Sequence, residues 1–255
     1  MWETITLGLV QGFTEFLPVS SSGHLVMAEH YLGMHSPGFS LEIALHLGTL
    51  CAVVLYYRKR IGSLINSIIR FSDPSLKQDR ILVFLLILAM IPTGIIGLLL
   101  KGSMESFKSS LPFIGGSLVV TSLLLFIPQI LSKRNHKNKD VTGIKSLLIG
   151  AMQGIAVIPG ISRSGSTITT SLMLGVSPQK AAEFSFLLSI PAILAAFILE
   201  FDSTFIFTLD VLMGMLASFL SGLLAIKVFL NILGRGKLHW FGFYCLVIGS
   251  YLLYT

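Results

Sequence analysis

A chain of 255 residues that is 53% hydrophobic and only 12% charged is too apolar to stay dissolved, because soluble domains carry about 25% charged residues. The net charge of +6 and pI near 9.4 would suggest nucleic acid in a soluble protein. Here the basic residues sit in short segments between apolar runs, the pattern that sets membrane topology, so the expected partner is a lipid bilayer and not nucleic acid.

In chain order, the first element is an apolar stretch over 4–33, interrupted at Pro18-Val19-Ser20-Ser21-Ser22-Gly23. The first residues lack a basic flank, with Glu3 just before the stretch and Glu15 within it, so a cleavable signal peptide is not expected. Each piece beside the break has about 11–15 residues, or about 17–22 Å of helix, too short for a hydrocarbon core of about 30 Å. Pro removes a backbone donor and Gly permits unusual angles. Irregular backbone at membrane depth survives only where protein or water satisfies it, so the stretch is predicted to be a re-entrant helix hairpin. Crossings follow at 41–57, 81–100 and 111–131. A second hairpin over 144–175 breaks at Pro159-Gly160-Ile161-Ser162-Arg163-Ser164-Gly165. Three more crossings, 181–200, 207–233 and 239–255, end the chain. The fold class is thus all-α: a single polytopic membrane domain, 1–255, with six transmembrane helices and two re-entrant hairpins.

The loop 58–80 holds Arg58, Lys59, Arg60, Arg70, Lys77 and Arg80, and the loop 132–145 holds Lys133, Arg134, Lys137, Lys139 and Lys145. Two crossings separate them, so they share a side, and the positive-inside rule makes it cytoplasmic. Arg235 and Lys237 then fall inside and both termini outside. Cys51 and Cys245 lie in apolar runs and read as packing residues.

A shift of 142 residues aligns the two broken stretches without gaps. Gly8, Gln11, Gly12, Ser20, Ser22 and Gly23 meet Gly150, Gln153, Gly154, Ser162, Ser164 and Gly165. Residues 1–131 and 143–255 then form two repeats, each a hairpin plus three crossings, and an odd number of crossings inverts the second. Inverted repeats with broken helices place their site near the midplane, where half-helix N-termini suit an anion.

The copies differ where chemistry is possible. Copy one supplies Glu15, Ser21 and His24, where copy two has Val157, Arg163 and Ser166. Gln11 and Glu15 share a helix face, and an ionisable group inside a membrane is by default a functional candidate. Arg163, set in Ser-Arg-Ser-Gly-Ser-Thr, suits phosphate, with hydroxyls and turn amides completing a cradle. Glu42 and Glu183 occupy equivalent helix starts, where each caps a hairpin or sits near the surface. His46, three helical residues beyond Ile43, is a minor candidate. His30, His35, His136 and His239 lie in or near loops and read as ordinary, and Lys227 as snorkelling. No Cys/His cluster has zinc spacing and no Gly-rich loop precedes a Lys, so neither zinc nor a nucleotide is expected.

The segments Gln11-Gly-Phe-Thr-Glu15-Phe-Leu-Pro-Val-Ser-Ser-Ser-Gly-His24 and Pro159-Gly-Ile-Ser-Arg-Ser164, with Thr167 just after, resemble the undecaprenyl-diphosphate phosphatase family, also called the bacitracin-resistance protein family. The resemblance covers essentially the whole chain, including Glu183 to Pro191. It implies hydrolysis of undecaprenyl diphosphate to undecaprenyl phosphate and inorganic phosphate, which recycles the carrier lipid of peptidoglycan synthesis. It also implies a bacterial plasma (inner) membrane location, with the pocket open to the outer face. Carried onto this sequence, the catalytic set is Glu15, Ser21, His24 and Arg163. The substrate-binding set is Gln11, Ser20, Ser22, Ser162, Ser164 and Thr167. Two departures stand out: Gln11 replaces a glutamate often found there, and the chain is somewhat shorter than many members.

On this reading Arg163, Ser162, Thr167 and hairpin amides clamp the diphosphate. Ser21 acts as nucleophile through Glu15 or His24, or else Glu15 and His24 activate water; the sequence leaves both open. A divalent cation, Mg or Ca, on the diphosphate is compatible, with Glu15 as partial metal ligand. The rival reading is a transporter or flippase of an anionic lipid, which needs only the positive half of such a site. A homodimer, the polyprenyl chain length and the metal are left open.

Overall fold

The computed structural model describes residues 1–34, 39–130, 140–200 and 208–255, apart from the side chains of residues 39, 40 and 200. The expectations placed on His35, His136, Lys133, Arg134, Lys137 and Lys139 fall outside them. The described residues form helices joined by short turns. Helices α1 (Trp2–Phe16) and α2 (Ser21–Tyr31) form the first hairpin, followed by α3 (Phe39–Tyr56), α4 (Arg58–Ile69), α5 (Lys77–Leu100), α6 (Met104–Lys108) and α7 (Leu111–Ile130). Helices α8 (Gly143–Ile155) and α9 (Arg163–Met173) form the second hairpin, followed by α10 (Pro178–Glu200), α11 (Leu209–Gly234) and α12 (His239–Leu252).

Four segments are long and apolar enough to cross a membrane: Pro74–Lys108, Leu111–Ile130, Pro178–Leu199 and Leu209–Gly234. A fifth is the pair Leu41–Tyr56 and Arg58–Ile69, bent by 78°. Two expectations are corrected here. Residues 58–69 are helix and not loop: Ile61, Leu64, Ile65, Ile68 and Ile69 recur at helical spacing behind the basic triplet, so α4 can lie flat with an apolar face. And α12 has 14 residues, about 21 Å at the helical rise, less than a full hydrocarbon thickness.

The polarity is that of a lipid-solvated protein. Ile87, Ile91, Ile95, Leu99, Leu123 and Ile198 point outward, whereas Thr49, Thr121, Ser122, Ser146, Thr169, Ser171 and Ser218 are buried. Small hydroxyl-bearing residues let helices approach closely and bond across the interface: Ser218 donates to the Leu45 carbonyl at 2.8 Å, and Ser146 to that of Leu85.

Glycines set the depth of the hairpins. In α1, Gly8 lies against Gly214 and Gly12 against Ser218 and Ser221, so α1 runs parallel to α11, with Phe16 reaching Gly222 at the middle of α11. In α8, Gly150 lies against Ala89 and Gly154 against Pro92 and Ile96, so α8 runs parallel to α5. Helix α3 runs parallel to α11, and its end leads into α4, whose Arg60 holds Asp79 at the start of α5 at 2.6 Å. The pairs α1–α11 and α8–α5 therefore point in opposite directions. Each hairpin returns to the face it left: Asp140 before α8 pairs with Lys180 after α9. Likewise the N-terminal amine meets Asp210, 3.1 Å away, while the Tyr31 hydroxyl meets that of Tyr251 near the end of α12.

A Cβ at Gly8 would stand 2.2 Å from the Gly214 carbonyl oxygen. Gly8→Ala is expected to cost about 1–3 kcal/mol, the usual penalty of overpacking, read as a lower unfolding temperature in detergent. Gly62→Ala, whose Cβ would meet nothing within 4 Å, should show no loss.

Candidate active site

The two hairpin tips meet. The Ser20 hydroxyl accepts from the Gly160 amide at 3.1 Å, and a Cβ on Gly23 would lie 3.1 Å from the Gly160 Cα. Ser20 holds φ at +71°, a region costly for a residue with a Cβ. Thr121 of α7 fastens the second tip, donating to the Gly160 carbonyl and accepting from the Ser162 amide at 2.8 and 3.0 Å. Ser20 and Ser162 are the N-caps of α2 and α9, accepting from the amides of Gly23 and Gly165. Each cap satisfies the third amide of its helix, while the first-turn amides ahead of it stay available to an anion.

Ser21 opens α2 and Arg163 opens α9, so both begin at the junction. Glu15, in the last turn of α1, bridges them. Its Oε2 accepts from the Ser21 hydroxyl at 2.6 Å and from Gln11 Nε2 at 3.0 Å. Its Oε1 accepts from Arg163 Nη2 at 2.6 Å. Arg163 Nη1 donates to the Ser185 carbonyl at 3.2 Å. The pair is largely shielded, with the side chains of Glu15 and Arg163 only 7% and 16% exposed. An ion pair so placed is held by its hydrogen bonds, since removing either partner leaves a buried charge.

These groups form the floor of a cavity of about 390 Å³. Glu15, Ser20, Ser21, Ser22, Ser162 and Arg163 all line it. Its upper wall is apolar, with Leu98 of α5 and Ile193 and Leu199 of α10, and Lys101 and Glu42 stand toward the mouth. Glu42 bonds Lys108 at 2.5 Å.

The remaining candidates lie elsewhere. Gln11 is fully buried behind Glu15. Ser164 donates to the Leu17 carbonyl at 3.2 Å, and Thr167 bonds Ser185 Oγ at 2.6 Å, each beneath the floor. His24 does not line this cavity. Its Nδ1 sits on the Ser20 carbonyl at 2.8 Å and its Nε2 on the Tyr244 hydroxyl at 2.7 Å, with the two rings stacked. His46 stands where an imidazole near the carboxylate was expected: its Nε2 is 3.6 Å from Glu15 Oε2, and its Nδ1 is held by the Glu42 carbonyl at 2.7 Å. In the sequence Gln153 stands out only as a repeat marker. Its carboxamide lines the cavity, its Oε1 is buried without a partner, and its Nε2 reaches Thr93 only at 3.5 Å. The available signal was its alignment with Gln11, the partner of Glu15. Glu183 lies on the far side from the cavity mouth, bonded to Arg60 at 2.6 Å.

This is an all-helical, multi-pass membrane protein that gathers an arginine, a carboxylate and a serine where two of its helices begin. The family described as bacitracin resistance protein BacA matches residues 4–251, and the chain belongs to it. Similar proteins named undecaprenyl-diphosphatase occur in Treponema denticola, 42% identical over 98% of this chain and 95% of that one. Others occur in Desulforapulum autotrophicum, at 40% over 98% and 96%, and in Halothermothrix orenii, at 39% over 99% and 97%.

Proposed function

We propose that this chain hydrolyses undecaprenyl diphosphate to undecaprenyl phosphate and inorganic phosphate, recycling the carrier lipid of cell-wall synthesis. The observation that carries the reading is the contact of Glu15 with both Ser21 and Arg163 at 2.6 Å, on the floor of a cavity with apolar walls. The polar floor takes the diphosphate and the walls take the first part of the isoprenoid chain.

Arg163 and the first-turn amides of α2 and α9 hold the oxygens of the terminal phosphate and neutralise the charge of the transferring group. Ser21 Oγ attacks that phosphorus, its proton passing to Glu15 Oε2 as the bond to the bridging oxygen breaks. The polyprenyl monophosphate leaves, and water then releases phosphate from Ser21. Two separate steps with one base are the usual logic of an activated hydroxyl. His46 orients Glu15 from the other side, and Gln153 offers its unpaired oxygen to the bound head group. An anion carrier would need Arg163 but not a serine bonded to a carboxylate, and this supports hydrolysis over transport.

Among the described residues no group of three His, Cys, Asp or Glu could hold a metal. The oxygens of Glu15 and Gln153 suit a hard cation such as Mg or Ca already carried by the diphosphate. These two residues would hold it, and it would supply further charge neutralisation.

The arrangement in the membrane follows from the same packing. The opposed pairs α1–α11 and α8–α5 support two inverted repeats with half-depth hairpins, with α3, α5, α7, α10 and α11 as full crossings and the 14-residue α12 as a shortened sixth. The basic end of the molecule faces the cytoplasm of a bacterial inner membrane, so the cavity opens to the outer face. Purified protein given a polyprenyl diphosphate should release inorganic phosphate, with less release under chelator. Labelled phosphate should be trapped on Ser21 in wild type and not in Ser21→Ala. Absence of phosphate release would contradict the assignment, and turnover by Ser21→Ala near wild type would contradict the nucleophile.

A further inference from the structure

A second cavity, of about 630 Å³, lies beneath the first hairpin, on the side away from the catalytic floor. Because α1 stops at the middle of α11, the half-depth below its tip is not filled by that hairpin. Phe13, Leu17 and Val19 form the roof, Phe241 and Tyr244 one wall, and Arg235, Lys237 and Trp240 the lower rim. The rim belongs to the turn between α11 and α12, where Gly236, with φ at +68°, reverses the chain and leaves both cations exposed. Neither has a side-chain hydrogen bond or ion pair among the described residues. Trp240 is 61% exposed beside them, and a ring of this amphipathic kind favours the level of lipid head groups.

We propose that this cavity holds one anionic phospholipid of the leaflet on the basic side, its phosphate between Arg235 and Lys237 and an acyl chain along Phe13, Leu17 and Phe241. Two free cations select the charge of the head group, and basic pockets between transmembrane helices at this level hold such groups. An apolar void open to the bilayer takes an acyl chain in preference to water. The lipid would support the catalytic hairpin from below. Thr14 lines both cavities, and the Tyr244 hydroxyl on the wall bonds His24, which bonds the Ser20 carbonyl of the tip. The choice of leaflet rests on the topology proposed above, but the binding test does not.

The test uses the full chain in phosphatidylcholine nanodiscs doped with phosphatidylglycerol, with retained lipid read by native mass spectrometry. Wild type should retain phosphatidylglycerol over phosphatidylcholine. The double variant Arg235→Ala, Lys237→Ala should bind it about tenfold to thirtyfold more weakly, the effect of two juxtamembrane cations. The control Arg58→Ala, Lys59→Ala, on the same side but off the cavity, should bind as wild type does. Equal retention of the two lipids, or no change in the double variant, would overturn the proposal. So would displacement of phosphatidylglycerol by a polyprenyl monophosphate at equal mole fraction, which would make the reaction product the occupant.

Discussion

Arg163→Ala should lower the turnover of polyprenyl diphosphate by a factor of about 10³ or more, the scale on which an arginine stabilises a transferring phosphoryl group. The guanidinium is the strongest positive group at the junction, and it is already aimed there by its bonds to Glu15 and the Ser185 carbonyl. The substitution also leaves Glu15 buried without its counter-ion, at a cost of about 3–5 kcal/mol. Lost activity alone would therefore be ambiguous. Arg163→Lys resolves it, because an ammonium keeps the charge beside Glu15 but cannot present two donors in a fixed plane. The lysine variant should unfold in detergent within about 1 kcal/mol of wild type, a loss typical of a single substitution, and still lose most of its turnover. A lysine variant with wild-type kcat would show that only charge matters at this position.

Glu15→Gln should separate the base from the clamp. The carboxamide is nearly the same size and can still meet Ser21, but it cannot take the proton. Turnover should fall by about 10²–10⁴, the range for a general base. Binding should not weaken. The carboxylate competes with the diphosphate for Arg163, so its neutral replacement frees the guanidinium, and KM should hold or fall while kcat collapses. Steady-state kinetics of phosphate release check this. A raised KM with kcat intact would assign Glu15 to binding and not to proton transfer.

Much of this site could be read from the residues because the hairpin tips carry their own local instructions. Pro18, Pro159 and Gly160 stop the helices, and Ser20 and Ser162 restart them as N-caps three residues before a glycine. That local pattern brings Ser21 and Arg163 to helix starts. The face shared by Gln11 and Glu15 also follows from a spacing of four, and their side chains are bonded at 3.0 Å. What spacing does not give is rotation and partner choice across helices. His24 lies one turn past Ser21, yet its ring folds onto the Ser20 carbonyl and toward Tyr244, more than two hundred residues along the chain. His46 reaches Glu15 only because α3 packs against α1, which no single element reveals.

The misread segments have equally physical reasons. In α4 the basic triplet carries a topology signal that masks the helical recurrence of Ile61, Leu64, Ile65, Ile68 and Ile69 behind it. In α12 an apolar run continues to the end of the sequence, but hydropathy does not say where a helix stops, and this one ends at Leu252.

The central claim is that the two hairpins fold tip to tip, so that a carboxylate from one holds a guanidinium from the other. A double-mutant cycle on unfolding in detergent tests it most directly, using Glu15→Gln, Arg163→Met and the pair together. Residues in contact should be non-additive by about 1–3 kcal/mol, with the double variant less damaged than the two single losses combined. Additivity within about 0.5 kcal/mol, the behaviour of distant and independent sites, would mean that the two groups do not meet in the folded protein.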